Sequence, residues 1–513
     1  MRVEARSELP ALVITGASGF LGRHLVAALR ERHRLYCLAR RSQHAAGVQR
    51  HRNVHWFQVD IGHEEPLAKV FRQLQPAATG CRVIHLAAYY DFTGEPNPEY
   101  LRTNVVGLRN LLEACRTLRP ARLVFASSVA ASAFPPNGGV LTEASPPDGD
   151  HLYAVSKRRG EQMVKEFQAF PAVVVRLGAL FSDWCEYVPL YFFLRTWLSE
   201  AWNRRVLGGR GRSAIPYLHV RDAVAFFERL VEVQGPLAPG ETLIASTDEA
   251  VSHLEAFEAA CLAWHGRRIR PVLTPRPMAR LGLKLVEATG RWMAERPFER
   301  AWMGRYIDLR MPVNASHTRQ RLGWAPRPRR YLLRRMPFLV ENLKTDPIEW
   351  HRRNLAALKP VQVEPTLHLY QLLEAHEERI MGASMELFRD PEGGALLPSY
   401  RGFAVDELRW AKQQLFLHLR NAVRTRERAV FRHYCRHLAE RRRAQGFSCR
   451  EVCRALETER DMVLRIVRSD PRSVPLGPAI HDFIVGTFLL GIDEIEDAYE
   501  ELEGVAAPPG PAS

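Results

Sequence analysis

Short apolar runs alternate with segments of helical spacing through the first third of the chain. The runs fall at residues 11–15, 35–39, 55–59, 82–87, 122–126 and 172–177, mostly separated by helix-length stretches such as 20–29 and 104–117. Continuous apolar runs suit strands buried on both faces, and their regular exchange with helices predicts an α/β fold, a doubly wound parallel sheet. After about residue 178 the pattern loosens. Residues 181–202 are rich in aromatics, among them Phe181, Tyr187, Tyr191, Phe192, Phe193, Trp197 and Trp202, which suits either the lining of an apolar pocket or a packed helix. Asp222 stands where it can cap the helix that follows it.

Beyond a linker-like stretch at 359–365 the period is helical throughout, with helices predicted over 366–389, 404–444, 448–468 and 478–503. Gly446 closes one helix, and Ser448 with Glu451 has the spacing of a capping box opening the next. This organisation predicts a nucleotide-binding domain over 1–355, with a substrate lobe drawn mainly from 178–330. A separate all-α domain of unassigned role follows over 366–505, and 506–513 reads as a disordered tail.

Composition changes this picture little: 513 residues with 46% apolar and 25% charged content make a globular chain with more than one core. The longest apolar stretches, 187–194 and 483–492, are shorter than the roughly 20 residues of a spanning helix, so no transmembrane segment is expected and peripheral membrane contact stays open. The opening residues mix acids with bases, unlike a secretory signal, which predicts a cytoplasmic location. Eight scattered cysteines without a C-x-x-C pair point to neither a disulfide framework nor a zinc cage.

Charge is more telling. The net +15 is confined to the first 360 residues, because from 361 onward 20 Lys+Arg face 24 Asp+Glu. A basic N-terminal region can attract an anionic cofactor, substrate or membrane surface. No helix-turn-helix, zinc-finger or RNA-binding signature accompanies it, so no specific nucleic-acid partner is expected.

Two motifs carry the chemistry. Thr15-Gly16-Ala17-Ser18-Gly19-Phe20-Leu21-Gly22 follows a predicted strand and opens a predicted helix, the setting in which backbone amides and a helix N-terminus hold a dinucleotide pyrophosphate. Tyr153 and Lys157 stand four apart, on one face of a helix, where an ammonium is expected to lower the phenol's pKa and fit it for proton transfer. At the end of the second strand the chain offers Arg40 and Arg41 in place of a ribose-binding carboxylate, which favours NADP(H), with NAD(H) as the alternative. Asp60, beside Ile61, can accept from an adenine amino group or cap a helix. Ser127 and Ser128 end the fifth strand, where a hydroxyl can polarise a carbonyl, and only one of the two can point inward.

In order, T-G-A-S-G-F-L-G (15–22), V-D-I (59–61), H-L-A-A (85–88), T-N-V-V-G-L (103–108), V-F-A-S-S (124–128), Y-A-V-S-K (153–157), Y-L-H-V-R-D (217–222) and L-G-W-A-P (322–326) resemble the extended short-chain dehydrogenase/reductase superfamily over about residues 10–350. Within it, the chain looks nearest to the dihydroflavonol-reductase and 3β-hydroxysteroid-dehydrogenase branches. The resemblance implies a Rossmann domain, an NAD(P)-dependent enzyme, a catalytic set of Ser128, Tyr153 and Lys157, and backbone contact from Ala87 to the cofactor. It places Asn104 near the active site, where a helix-starting cap is the equal alternative.

These readings converge on an NADP(H)-dependent oxidoreductase acting on a carbonyl/secondary-alcohol pair of an apolar or aromatic small molecule. The rivals are a nucleotide-sugar epimerase or dehydratase with bound NAD, and an NADP(H)-sensing signalling protein. A homodimer is compatible with either kind of enzyme. No metal site is expected: His433, Cys435 and His437 share one predicted helix but lack a further ligand pattern.

Overall fold

The computed structural model describes residues 9–91, 94–136, 138–233, 235, 237–292, 300–358, 365–387 and 397–506. Residues 359–364 of the linker expected at 359–365, the tail beyond 506 and the first eight residues lie outside them. The chain separates into two compact units, Met1–Gln362 and Val363–Ser513.

The first unit is built on β1 (Ala11–Thr15), α1 (Phe20–Leu29), β2 (Arg34–Ala39), β3 (Val54–Gln58), α2 (Glu64–Ala78), β4 (Arg82–His85), α3 (Pro98–Leu101), α4 (Gly107–Cys115), β5 (Arg122–Ser128), α5 (Leu152–Glu166) and β6 (Ala172–Leu177). After them come β7 (Ala179–Phe181), α6 (Val188–Trp197), β8 (Val206–Gly208), β9 (Ala214–His219), α7 (Val220–Glu232), β10 (Thr242–Ala245), β11 (Ala250–Ser252) and α8 (His253–His265). The unit closes with β12 (Val272–Thr274), α9 (Arg276–Trp292), α10 (Ser316–Leu322), α11 (Leu332–Thr345) and α12 (Pro347–Leu358).

Seven strands form one sheet in the order β10-β6-β5-β4-β1-β2-β3, and every pairing within it is parallel. The strands are apolar on both sides because both sides are covered. Leu12, Ile14 and Val124 pack with Leu25 of α1 and Phe226 and Phe227 of α7, while Val13, Leu123 and Phe125 pack with Phe71 of α2 and Leu111 of α4. The doubly wound sheet predicted from the alternating pattern is therefore present. Its seventh strand, β10, is only four residues long and carried no clear signal.

Strand order reverses at β1, which pairs with β2 on one side and β4 on the other. The crevice at the carboxyl ends of β1 and β4 is where open parallel sheets take their ligands. A smaller lobe of this unit carries a three-stranded sheet ordered β11-β9-β7 and a β12-β8 pair. Most of the aromatic stretch 181–202 serves this lobe's core, where Phe181, Tyr191 and Trp197 pack with Phe257 and Trp350. Asp222 does not cap α7 as expected: His219 does, accepting from the Arg221 amide, while Asp222 accepts from the Arg327 amide and the Arg330 guanidinium.

The second unit is helical and has its own core. The helix predicted over 404–444 divides into Val405–Thr425 and Ala429–Ala444, because Arg426 takes a left-handed conformation with φ 65°. The predicted 366–389 helix divides likewise into Pro365–Ala375 and Glu377–Leu387, with His376 between them bonded to Asp470 at 2.9 Å. Ser448 caps Cys449–Arg468 by accepting from the Glu451 amide, but Glu451 turns its carboxylate to Ser399. Cys435 is buried in this core, whereas His433 and His437 face one another at 3.0 Å. Seven of the eight cysteines are buried and none forms a disulfide. Among the described residues no helix is long and apolar enough to cross a membrane.

Candidate active site

The glycine turn sits at the switch point of the sheet. Gly16 has φ 71°, and a Cβ there would lie 2.6 Å from the amide nitrogen of Ala87 at the end of β4, so only glycine permits this approach of β1 to β4. Gly19 is the N-cap of the ten-residue α1 and supplies no side-chain cap. The unpaired first-turn amides of that helix therefore face the crevice, where they suit a pyrophosphate. Phe20 lines the crevice. Leu21 and Gly22 are buried, Leu21 in the core beneath, so Leu21 can offer a ligand only its backbone. The Ser18 carbonyl accepts from the Arg41 guanidinium.

Arg40, expected to face a 2′-phosphate, is engaged within the fold. Its guanidinium donates to Glu99 at 3.3 Å. Glu99 also accepts from Arg102 at 2.9 Å and from Thr103 at 2.7 Å. Burial works to raise the Glu99 pKa, but Arg102, Thr103 and Arg40 outweigh it and hold the carboxyl below its usual value. Asp60 is buried and accepts from the Gly62 amide and from Arg102, both at 2.9 Å. Ile61, next to it, is buried and packs against Gly107 at the start of α4. This end of the crevice, where the adenosine was expected, is thus a linked set of two arginines and two carboxylates around Arg40 and Asp60.

At the other end, β5 divides the labour of its two serines. Ser127 donates at 2.6 Å to Glu161, which is paired with Arg176 at 2.8 Å in an ion pair wholly buried behind the sheet. Ser128 points the other way: its hydroxyl accepts from the Ala130 amide at 3.2 Å and reaches the Tyr153 phenol. Tyr153 and Lys157 follow on α5, which can lie close on β5 because Gly160 has no side chain; a Cβ there would be 2.5 Å from the Phe125 ring.

Burial pushes the Tyr153 phenol well above its usual value, opposed by the Ser128 hydrogen bond. Burial also pushes the Lys157 ammonium down to about 8, with Glu161 opposing. The lowering of the phenol expected from the Tyr153/Lys157 spacing is therefore replaced by desolvation of both groups. The Lys157 Nζ is bonded to the Ala126 carbonyl at 2.7 Å and stands 5.7 Å from the Tyr153 ring centre.

Several neighbours complete this end of the site, of which Tyr90 and His151 were not singled out from the sequence. Asn104 is no helix cap, since its helix starts at Pro98 and is capped by Asn97. It lies in a π-helical turn at Arg102–Val106, accepts from the Tyr89 amide at 2.6 Å, and donates to the Tyr89 carbonyl and to Ser156, each at 2.9 Å. It ties the segment after β4 to α5. The Tyr90 ring packs on Tyr153 with centres 4.2 Å apart, and His151 caps α5 by accepting from the Ala154 amide. The aromatic pair Tyr89-Tyr90 after H-L-A-A is the signal that points to this wall.

Ser128, Tyr153, Gly19 and Phe20 open on a cavity of about 1450 Å³ that continues into the lobe, where Tyr187, Phe192, Phe193, Tyr217, Met278 and Trp302 line it. Among the described lining residues, Arg41 and Arg300 are the arginines and there is no lysine.

A parallel sheet with a glycine turn at its switch point, and a Tyr/Lys pair on one helix face beside a strand-end serine, define the class of NAD(P)-dependent short-chain dehydrogenase/reductase enzymes. Residues 12–243 match the model of the NAD dependent epimerase/dehydratase family. The chain is similar to 4-hydroxy-2-methyl-3-oxo-4-farnesyl-3,4-dihydroquinoline-1-oxide ketoreductase of Stigmatella aurantiaca, 28% identical over 334 residues that cover 61% of this chain and 91% of the relative. It is also similar to UDP-glucuronate 4-epimerase 4 of Arabidopsis thaliana, 28% identical over 200 residues, 36% of this chain and 44% of that one, so it spans less than half of the epimerase's length. The fold is shared with dTDP-glucose 4,6-dehydratase of Bacillus anthracis, solved in complex with NAD, at TM-score 0.51 and 18% identity, covering 67% of this chain and 99% of that one.

Proposed function

We propose that this protein is an NADP(H)-dependent oxidoreductase that interconverts a carbonyl and a secondary alcohol on an apolar or aromatic small molecule. The observation that carries the reading is the opening of Ser128 and Tyr153 into a large cavity lined mainly by aromatic and aliphatic side chains. The first-turn amides of α1 and the Gly16 approach suit a dinucleotide, whose nicotinamide supplies the hydride when bound. The Ser128 hydroxyl donates to the substrate carbonyl and polarises it. Tyr153, kept protonated by its burial, gives its proton to the oxygen as the alcohol forms. Lys157 keeps a positive charge near the phenolate left behind.

NADP(H) is the favoured cofactor because Arg40 and Arg41 directly follow β2, with Glu99 as the internal counter-ion that a 2′-phosphate would displace. Buried, unbridged cysteines suit a reducing compartment such as the cytoplasm. The similarity to a ketoreductase of an aromatic, prenylated carbonyl compound supports the substrate class. Nucleotide-sugar epimerisation is favoured by the similarity to UDP-glucuronate 4-epimerase 4, but a nucleotide diphosphate calls for cationic partners and the lobe end of the cavity offers Arg300.

The test is a binding comparison of NADPH with NADH for wild type and Arg40→Asp, followed by a screen of hydrophobic ketones and UDP-sugars. We expect NADPH preference in the wild type, its loss in the variant, and NADPH consumption with aromatic ketones. Equal binding of both cofactors overturns the cofactor assignment, and UDP-sugar epimerisation without net cofactor use overturns the reaction.

A further inference from the structure

At the mouth of the cavity the lobe exposes apolar and basic groups together. Helix α9 has three faces. Ala279 and Leu283 pack inward, with an Ala279 carbon 3.5 Å from where Gly208 would carry a side chain and a Leu283 carbon 3.4 Å from the same point on Gly304. Arg280 and Lys284 stand one turn apart on a second face. The third carries Met278 and Leu281, which are 62% and 58% exposed. The adjoining strand β12 presents Val272 and Leu273, 52% and 46% exposed, and it is paired with β8, a few residues after Trp202, which is 90% exposed. Exposed apolar side chains that adjoin in this way mark an interaction surface.

Basic residues outnumber acidic ones along this stretch. From residue 259 to 286 the sequence contains six Arg or Lys and no Asp or Glu. Arg276 is paired with Asp308, but Arg267, Arg268 and Arg270 are exposed and form no ion pair among the described residues. An apolar face bordered by cations is the pattern of segments that lie in the interface of an anionic bilayer, where apolar burial and attraction to the headgroups add. Met278, Ala279, Gly282 and Leu283 of the same helix line the cavity, so a surface seated there would adjoin the cavity mouth.

We propose that α9 and the β12 edge form a docking surface for anionic phospholipid bilayers, placing the cavity mouth on the membrane. That an apolar substrate enters from the lipid rests on the function proposed above; the docking itself does not.

The test uses the full chain in flotation with vesicles of phosphatidylcholine containing about 30% phosphatidylglycerol, and with phosphatidylcholine alone. Wild type is expected to bind the anionic vesicles at least about tenfold better, and Leu273→Asp/Leu281→Asp to lose about tenfold of that binding. Both leucines are exposed and lie outside the cavity lining. Arg267→Glu/Arg268→Glu, at two exposed positions, should lose binding similarly and keeps the test open should the leucine variant unfold. Wild type that ignores anionic vesicles, or variants that bind as well as wild type, overturn the proposal. So does a wild-type dimer that ignores vesicles and becomes monomeric in the leucine variant, since the face would then join two copies of the chain. Failure here leaves NADPH-dependent turnover untouched and so separates the two proposals.

Discussion

At the β5–α5 end of the cavity polar side chains are held by partners inside the fold: Ser127 on Glu161, Glu161 on Arg176, Lys157 on the Ala126 carbonyl, Asn104 on Tyr89 and Ser156. At the α6–α9 end the lining is aromatic and aliphatic, and its outer rim is left exposed. In the proposed reaction the first arrangement would fix where a proton and a carbonyl oxygen sit, which is the requirement of chemistry. The second discriminates by shape and apolar area, which allows one reaction to serve varied substrates.

If that contrast is right, the two adjacent serines should separate sharply. Ser128→Ala is expected to lower kcat about 10²-fold, as loss of an oxyanion donor does, with little change in melting temperature. Ser127→Ala should leave kcat close to wild type and instead cost about 1–3 kcal/mol in urea unfolding, because Glu161 loses a buried partner. Equal kinetic effects would erase the distinction.

Arg176→Met attacks the support alone. It strands Glu161 as a buried charge, and a loss of about 3–5 kcal/mol is expected, read from denaturant melts. At the apolar end, Phe193→Ala, which also removes the stacking on Trp197, should raise KM about tenfold for bulky aromatic ketones. It should leave small ketones unaffected.

The smallest effect concerns Lys157. Its folded pKa, pushed down to about 8, lies below the unfolded value near 10.4, so the unfolded chain binds more protons between those values and stability rises with pH across that window. Lys157→Met should therefore raise the melting temperature at pH 7 by about 2 °C or more, a gain that shrinks toward pH 10, while cofactor affinity falls. A variant that melts lower at every pH would contradict the burial cost.

The sequence made the sheet legible because each parallel strand is a local, continuous apolar run, and the glycine turn and the Tyr153/Lys157 spacing are local as well. The partners of Arg40 and Asp60 were not legible. Glu99 and Arg102 reach them from 59 and 42 residues away, and no short-range pattern records such a pairing. Asn104 stood open between two roles for the same reason, since the Pro98 start and the π-turn that moves it off the cap depend on tertiary contact. The breaks at His376 and Arg426 interrupt sequences whose helical period runs on, so only packing could show them.

The central claim is hydride transfer to a carbonyl with Tyr153 as the proton donor, and deuteride transfer measures it most directly. With NADPH deuterated at the transferring carbon, wild type should deliver one deuterium to the carbinol carbon of an aromatic alcohol product. Tyr153→Phe should lower kcat by about 10²- to 10⁴-fold and leave NADPH affinity within about twofold. Turnover in Tyr153→Phe comparable to wild type, or a product without deuterium, would contradict the account.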